Sequence, residues 1–163
     1  MNDSIKRAIN LGQGNKQVQK LIDDGKLQRI TASRDHAQRL LKQSSNHLIS
    51  AAKLSNEDPE GAYSALYDAA RKALVAVLEV QGLRPTSQGG HVVVGQALEA
   101  QLDPPFDEVI PPFHRMRKLR NSQEYPGIEE PELTSLDVLE DLEKAKGIVV
   151  LAHELIDQFS VFN

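Results

Sequence analysis

The residues with the clearest chemical potential form the segment HRMRKLRNSQEY, between His114 and Tyr125. On a helix with about 3.6 residues per turn, four polar side chains share one stripe: Arg117, Arg120, Asn121 and Glu124. His114 and Tyr125 flank this stripe, whereas Met116 and Leu119 point the other way, toward the core. The cations are therefore not explained as the ends of core side chains, and the stripe is predicted to be a polar face.

Such a face can bind phosphate or take part in general acid/base chemistry. Arginine presents a rigid fork of donors that matches phosphate oxygens, and Lys118 adds a further cation for RNA or a partner. The alternative is a solvated helix face, on which Arg120 and Glu124 pair one helical turn apart. The spacing leaves both interpretations open.

Two histidines are further candidates for this site. His114 lies on the same side of its helix as Arg120, but two turns away, or about 10 Å along the axis, unless a second subunit shortens the distance. Its alternative is a surface histidine at a helix N-terminus. His91 follows two glycines, which fits a polar site or simply the start of a helix.

The central helix carries another polar group, because Tyr67 and Arg71 share a face and Asp68 lies beside them. These side chains either project toward Arg120 or solvate the bundle. The remaining histidines show no zinc-binding spacing: His36, His47 and His153. No phosphate-binding glycine loop and no Gly-x-Ser-x-Gly motif occurs, so nucleotide hydrolysis and serine-hydrolase chemistry are disfavoured. Neither a metal nor another cofactor is predicted.

Composition restricts the class of protein further. The 163 residues suit one domain, contain no cysteine and carry a net charge of −4, so any contact with nucleic acid must be local. Four cations lie between His114 and Arg120, whereas residues 129–143 are acidic without any cation. The N-terminus does not resemble a signal peptide, and the longest near-apolar run, Gly147 to Ala152, is too short to span a membrane. A cytoplasmic protein is expected.

Hydrophobic spacing and caps predict an all-α, up-and-down bundle of about five to six helices, without strands. The first predicted helix lies within residues 16–27 and is expected to end near Gly25. The others are 34–55 after the Ser33 cap, 59–82 after the Asp58 cap, 91–102, 113–124, and 134 or 135 to about 159. Residues 1–32 form an N-terminal extension with an amide-rich start and a short helix, and residues 33–163 form the bundle.

The last helix is apolar nearly all round between Ile148 and Leu151. This segment is therefore expected at the centre of the bundle or in a subunit interface, and a homodimer is predicted. Most of the inner face of this helix is expected from six residues: Leu136, Leu139, Leu142, Val149, Ile156 and Phe159.

Two stretches resemble the HEPN family of helical-bundle proteins, which belong to prokaryotic toxin–antitoxin, defence and nucleotidyltransferase-associated systems. One is AYSALYDAARKALVAVLEVQGLRP, residues 62–85, followed by the GGH that ends at His91; the other is RNSQEY, residues 120–125. Together with the order of the helices, the resemblance covers roughly residues 33–159. It implies a HEPN-like bundle.

The family signature is an arginine, usually followed by a polar residue, with a histidine four to six positions further along. Arg120 and Asn121 match its start, but Tyr125 stands where the histidine is expected. Members with the full signature are commonly metal-independent ribonucleases, in which a dimer brings two motifs together at an RNA cleft. The resemblance implies that Arg120 contacts phosphate and that Asn121 orients it. A phenol is a poorer general base than imidazole, although Tyr125 can hydrogen-bond or stack on a base.

Three functional hypotheses follow. The first is a HEPN-like dimer that acts as a non-catalytic or weakly catalytic binding module, possibly with a nucleotidyltransferase partner, in a toxin–antitoxin or defence system. The second is a metal-independent endoribonuclease that uses Arg120 and Asn121 at a dimer cleft. The third is a structural helical adaptor. RNA, a second copy and a partner protein are therefore the expected ligands, and no membrane role is expected.

Overall fold

The computed structural model describes residues 9–163 as six helices and one small sheet. In chain order these are α1 (Asn15–Asp23), β1 (Leu27–Arg29), α2 (Arg34–Leu54), α3 (Pro59–Val80), β2 (Leu83–Pro85), α4 (Val92–Leu102), α5 (Pro112–Glu124) and α6 (Ser135–Leu155). The predicted all-α bundle is confirmed. The amide-rich start of the predicted N-terminal extension falls partly on residues 1–8, which lie outside the described residues.

The predicted caps set the starts of three long helices. The Ser33 hydroxyl accepts from the His36 amide, and the Asp58 carboxylate accepts from the Gly61 amide just after Pro59. Thr134 and Asp137 form a reciprocal capping box at the start of α6. Gly82 ends the turn after α3 with φ 70°, and a Cβ there would lie 2.8 Å from the Ile30 carbonyl oxygen. Local chemistry thus determines where these helices begin and end.

Helix α3 is the central element of the bundle. It packs against α2, α4, α5 and α6, and it is buried on nearly all sides. Alanines alternate with larger apolar residues along it, which lets the neighbouring helices approach closely. Any polar side chain on α3 therefore lies close to several other helices.

The prediction of a chain without strands was wrong, whereas the first helix ends close to Gly25, as expected. Helix α1 stops at Asp23, and Gly25 with φ 71° turns the chain into β1. Strand β1 pairs antiparallel with β2, with Leu27 opposite Pro85 and Arg29 opposite Leu83. Three-residue strands are too short to show an alternating pattern, and Leu27 is buried like a helix-face residue.

The inner face predicted for α6 was wrong in its first half. Leu136 and Leu139 are 76% and 44% exposed, whereas Leu142, Val149 and Ile156 are buried as predicted. The core-facing stripe runs through a fully buried carboxylate, that of Asp141. Because the expectation followed apolar residues alone, it missed this stripe. The helix also ends at Leu155, one turn earlier than expected.

The apolar segment Ile148 to Leu151 lies mainly inside the chain. Ile148, Val149 and Leu151 are buried, and only Val150 is half exposed. Of the two expectations for this segment, the central position is the correct one. Among residues 9–163, no helix combines the length and apolar character that a membrane crossing requires.

The buried Asp141 carboxylate connects three helices. Tyr63 on α3 donates its hydroxyl at 2.7 Å, and one terminal nitrogen of Arg115 on α5 donates at 2.9 and 3.0 Å. Lys144, one turn along α6, donates at 3.3 Å. A buried carboxylate is tolerated only when its oxygens receive such bonds. This group, the Asp141 clamp, holds α5 against α3 and α6.

We expect Asp141→Ala to lower the free energy of unfolding by about 3 kcal/mol, because it leaves the buried Tyr63 hydroxyl without its acceptor and removes the link to α5. Tyr63→Phe removes one donor of several and should cost about 1 kcal/mol. Urea denaturation of both variants measures the difference. Equal and small losses of unfolding free energy in the two variants would contradict the proposed role of the Asp141 clamp.

Candidate functional site

The centre of the candidate site is a tyrosine–histidine pair. The Tyr67 side chain is fully buried on α3, and its hydroxyl shares a 2.7 Å hydrogen bond with Nδ1 of His91, the residue before α4. The Tyr67 ring stacks on Phe113 of α5, with centroids 5.5 Å apart and planes within 10°. The rest of His91 is exposed to solvent. Tyr67 thus fixes one ring nitrogen of His91 and leaves the other edge of the ring accessible.

The loop before α4 explains why His91 reaches Tyr67. Thr86 bonds from its amide and its hydroxyl to the Lys26 carbonyl, and its hydroxyl accepts from the Gly89 amide. Gly89 lies so close to the Lys26 carbonyl that a side chain would clash there. Gly89 therefore allows a close approach between this loop and the chain before β1, whereas Gly90 has a φ of 57°, which favours glycine.

Arg120 lies against the same tyrosine. Its guanidinium carbon is 5.6 Å from the centroid of the Tyr67 ring, within the range of a cation–π interaction. One terminal nitrogen pairs with Glu124 at 2.8 Å, and the other bonds weakly to the Asn121 amide oxygen at 3.4 Å. The Arg120–Glu124 pair of the solvated-face interpretation is thus present, but the arginine is only 24% exposed.

Two more arginines complete the group. Arg71 on α3 reaches Asp68 with two long contacts of 3.4 Å, so that this pair is weak. Arg117 and Arg120 each have a buried Nε that has no hydrogen-bond partner among residues 9–163. We name Arg71, Arg117, Arg120 and His91 the arginine surface. It carries three full positive charges with Asp68 and Glu124 as its acidic neighbours.

This environment sets the protonation of the pair. Burial lowers the pKa of His91, and the cations Arg71 and Arg120 lower it further, while Asp68 opposes them. Burial raises the pKa of Tyr67 to about 12. At neutral pH His91 is therefore a neutral imidazole and Tyr67 a neutral phenol, joined by a hydrogen bond between uncharged groups.

The structure brings some of the predicted residues together and separates others. Asn121 and Glu124 border the arginine surface through Arg120, and Lys118 is exposed on α5. Tyr125 directly follows the last residue of α5, and it is 83% exposed.

His114 belongs to a different place. Its Nε2 pairs with Glu99 of α4 at 3.0 Å, and its ring fills the space that a side chain at Gly95 would need. Phe113 lies between His114 and Tyr67. His114 therefore faces α4 instead of the arginine surface within one subunit.

The spacing of Tyr67 and Arg71 predicts that they share a helix face, but nothing in the sequence indicates that Tyr67 contacts His91. Of the two expectations for the polar group on α3, projection toward Arg120 or solvation of the bundle, the contact of Tyr67 with Arg120 agrees with the first. Phe113 was not anticipated as part of the site, because an apolar residue at a helix start reads as ordinary core. The i, i+4 spacing of Tyr67 and Arg71 is the local pattern that indicates a place for Tyr67 in the site.

We expect Arg120→Met to raise the pKa of His91 toward its ordinary value of about 6.5, because the substitution removes a cation that disfavours the imidazolium. A titration of the histidine ring protons by NMR measures this shift. Arg39→Met, an exposed arginine on α2, is the matched control and should leave the His91 pKa unchanged. A His91 pKa that falls in Arg120→Met would contradict this electrostatic account.

Comparison with known proteins bears directly on this arrangement. No curated protein and no solved structure matches the chain. The family model described as the HEPN domain matches residues 37–157, well over half of the chain. The matched span begins in α2, ends just after α6 and includes every residue of the arginine surface. It also confirms the resemblance found in the sequence. The chain belongs to the HEPN family.

Proposed function

We propose that this protein is a HEPN binding module that holds single-stranded RNA by its phosphates on the arginine surface. The observation that carries this function is that Arg120 lies over the ring of Tyr67, which is hydrogen-bonded to His91, while the charges of Arg71 and Arg117 act on the same pair. Three arginine forks at one exposed histidine suit phosphate oxygens, which accept charge-assisted hydrogen bonds. RNA backbone binding needs such a local concentration of cations.

The energetic balance of the arginine surface supports a ligand over a purely structural role. The buried Nε atoms of Arg117 and Arg120 lack partners, which costs folding free energy. Arg71 gains little from Asp68 at 3.4 Å. Side chains that lower the free energy of unfolding and lie together on one surface are typical of functional sites. The net charge of −4 confines attraction for a polyanion to this surface.

The HEPN family supports further parts of this function. We place the module in the cytoplasm of a prokaryote, in a toxin–antitoxin or defence system, as a homodimer with a possible nucleotidyltransferase-type partner. The exposed Asn121 and Lys118 beside Arg120 leave α5 accessible to a second subunit or to that partner. Sedimentation at micromolar concentration measures the dimer directly.

We expect Arg117→Met to weaken the binding of a fluorescent single-stranded RNA and to reduce the slope of affinity against salt, because one phosphate contact is lost. The same substitution should raise the free energy of unfolding by about 1 kcal/mol, since it removes a buried donor without a partner. Fluorescence anisotropy and urea denaturation measure the two effects.

Arg39→Met is the control for a change of net charge alone and should alter neither quantity. Unchanged RNA affinity in Arg117→Met would contradict a role for that arginine. Failure of the wild-type protein to bind RNA would overturn this function and favour a structural adaptor.

A second candidate function, metal-independent RNA cleavage, is favoured by the Tyr67–His91 pair beside Arg120. Neutral His91 would take the proton of the ribose 2′-hydroxyl, and the 2′-oxygen would attack the neighbouring phosphorus. Arg120 would stabilise the charge that develops on the non-bridging oxygens. The bond to the 5′-oxygen then breaks, this oxygen takes the proton that His91 removed, and the products carry a 2′,3′-cyclic phosphate and a 5′-hydroxyl.

Incubation of the protein with cellular RNA in EDTA tests this chemistry. We expect His91→Gln and Arg120→Ala to lose cleavage and Arg39→Ala to retain it. The rate should rise with pH while His91 loses its proton and should be level above its ordinary pKa of about 6.5, because the pKa is lowered in the fold. Cleavage that survives Arg120→Ala would rule out the ribonuclease. No cleavage by the wild-type protein would leave the binding module.

A further inference from the structure

A lysine and a histidine contact each other on the face between α2 and α3. The Nζ of Lys72 lies 2.9 Å from the Nε2 of His47, and both residues are half-buried. Lysines in such places usually meet a carboxylate. No carboxylate of residues 9–163 forms an ion pair with Lys72. The ammonium donates instead to an imidazole, which must be neutral to accept.

The charged neighbours of this pair come from α3. The pKa of His47 is lowered by burial first and then by Lys72 and Arg71, while Asp68 opposes them. The Asp68 carboxylate contacts Arg71 and not Lys72, although Lys72 is one helical turn away. The pair therefore keeps a positive charge that no acidic group contacts directly.

The pair is next to the arginine surface. Arg71 precedes Lys72 on α3, and Arg71 with Asp68 acts on both His47 and His91. Three cations thus act on the two histidines in sequence: Arg120 and Arg71 act on His91, and Arg71 and Lys72 act on His47. A chain of phosphates can follow such a line of cations, whereas a single phosphate can occupy only one part of it.

We propose that Lys72 and His47 form a second phosphate subsite, which holds a neighbouring phosphate of the RNA strand bound on the arginine surface. This inference rests on the proposed function and specifies its substrate as an oligonucleotide with at least two phosphates. A phosphate oxygen accepts from the Lys72 ammonium and, once His47 is protonated, from Nε2 of the imidazolium.

This subsite couples RNA binding to proton uptake. A phosphate beside His47 favours the imidazolium and offsets Lys72 and Arg71, so the pKa of His47 rises when RNA binds. The affinity for RNA should consequently increase as the pH falls toward the ordinary histidine pKa of about 6.5. Asp68 is the acidic group that acts on this pair.

The test compares two probes, an eight-nucleotide oligouridylate and the dinucleoside monophosphate UpU, which has one phosphate. We expect Lys72→Gln to weaken binding of the octamer about tenfold and to reduce its salt slope by about 0.7, the value for one phosphate of a single strand. Binding of UpU should stay as in the wild type. Lys53 is an exposed lysine on α2, the helix that carries His47. The matched control is therefore Lys53→Gln, which should change the binding of neither probe.

NMR titration of His47 gives an independent readout and shows whether the variant is folded. The His47 pKa should rise when the octamer binds the wild type, and it should rise without RNA in Lys72→Gln, which lacks the repelling ammonium. If the wild type binds neither probe, the proposed function fails and this subsite with it. If the wild type binds the octamer but Lys72→Gln binds it equally well, only the subsite is overturned. An unchanged His47 pKa in the bound wild type also overturns it.

Discussion

The geometry of the site depends on one buried carboxylate. Asp141 places a negative charge inside the bundle, where only direct hydrogen bonds make a charge tolerable. Its donors come from α3, α5 and its own helix α6. Tyr63 lies one turn before Tyr67, and Arg115 lies two residues before Arg117. The clamp therefore fixes the two helices that supply the arginine surface at the level where that surface begins.

A second constraint, the aromatic stack, sets the distance between these helices. The Phe113 and Tyr67 rings stack with centroids 5.5 Å apart, and the Arg120 guanidinium carbon lies 5.6 Å from the centroid of the tyrosine ring. The hydroxyl of the same ring then bonds to His91. Helix α5 thus contacts the tyrosine ring through Phe113 and Arg120, and the residue before α4 contacts its hydroxyl. This explains how a cationic group and a neutral histidine are held together in a protein of acidic composition.

The helices could be predicted from sequence because their signals are local. Ser33, Asp58 and Thr134 bond to amides three residues away, so their residue types alone indicate helix starts. The register of α6 could not be predicted, because a buried Asp141 is stable only beside Tyr63 and Arg115, far away in sequence. The strands β1 and β2 stabilise each other across more than fifty residues, and neither is long enough to be recognised alone.

The site likewise contains residues that local sequence indicates and contacts that depend on residues far apart in sequence. Arg117 and Arg120 are indicated by their spacing on one helix. That His91 bonds to Tyr67, the tyrosine that Arg120 also contacts, follows from the loop held at Lys26, which no local pattern reveals. In the proposed function the arginines around His91 bind phosphate, and they also keep the imidazole neutral. A bound phosphate offsets part of this positive charge, so it moves the His91 pKa back toward the ordinary value. More arginines would bind phosphate more tightly but would lower the His91 pKa further and weaken the imidazole as a base, so their number sets the balance between binding and base strength.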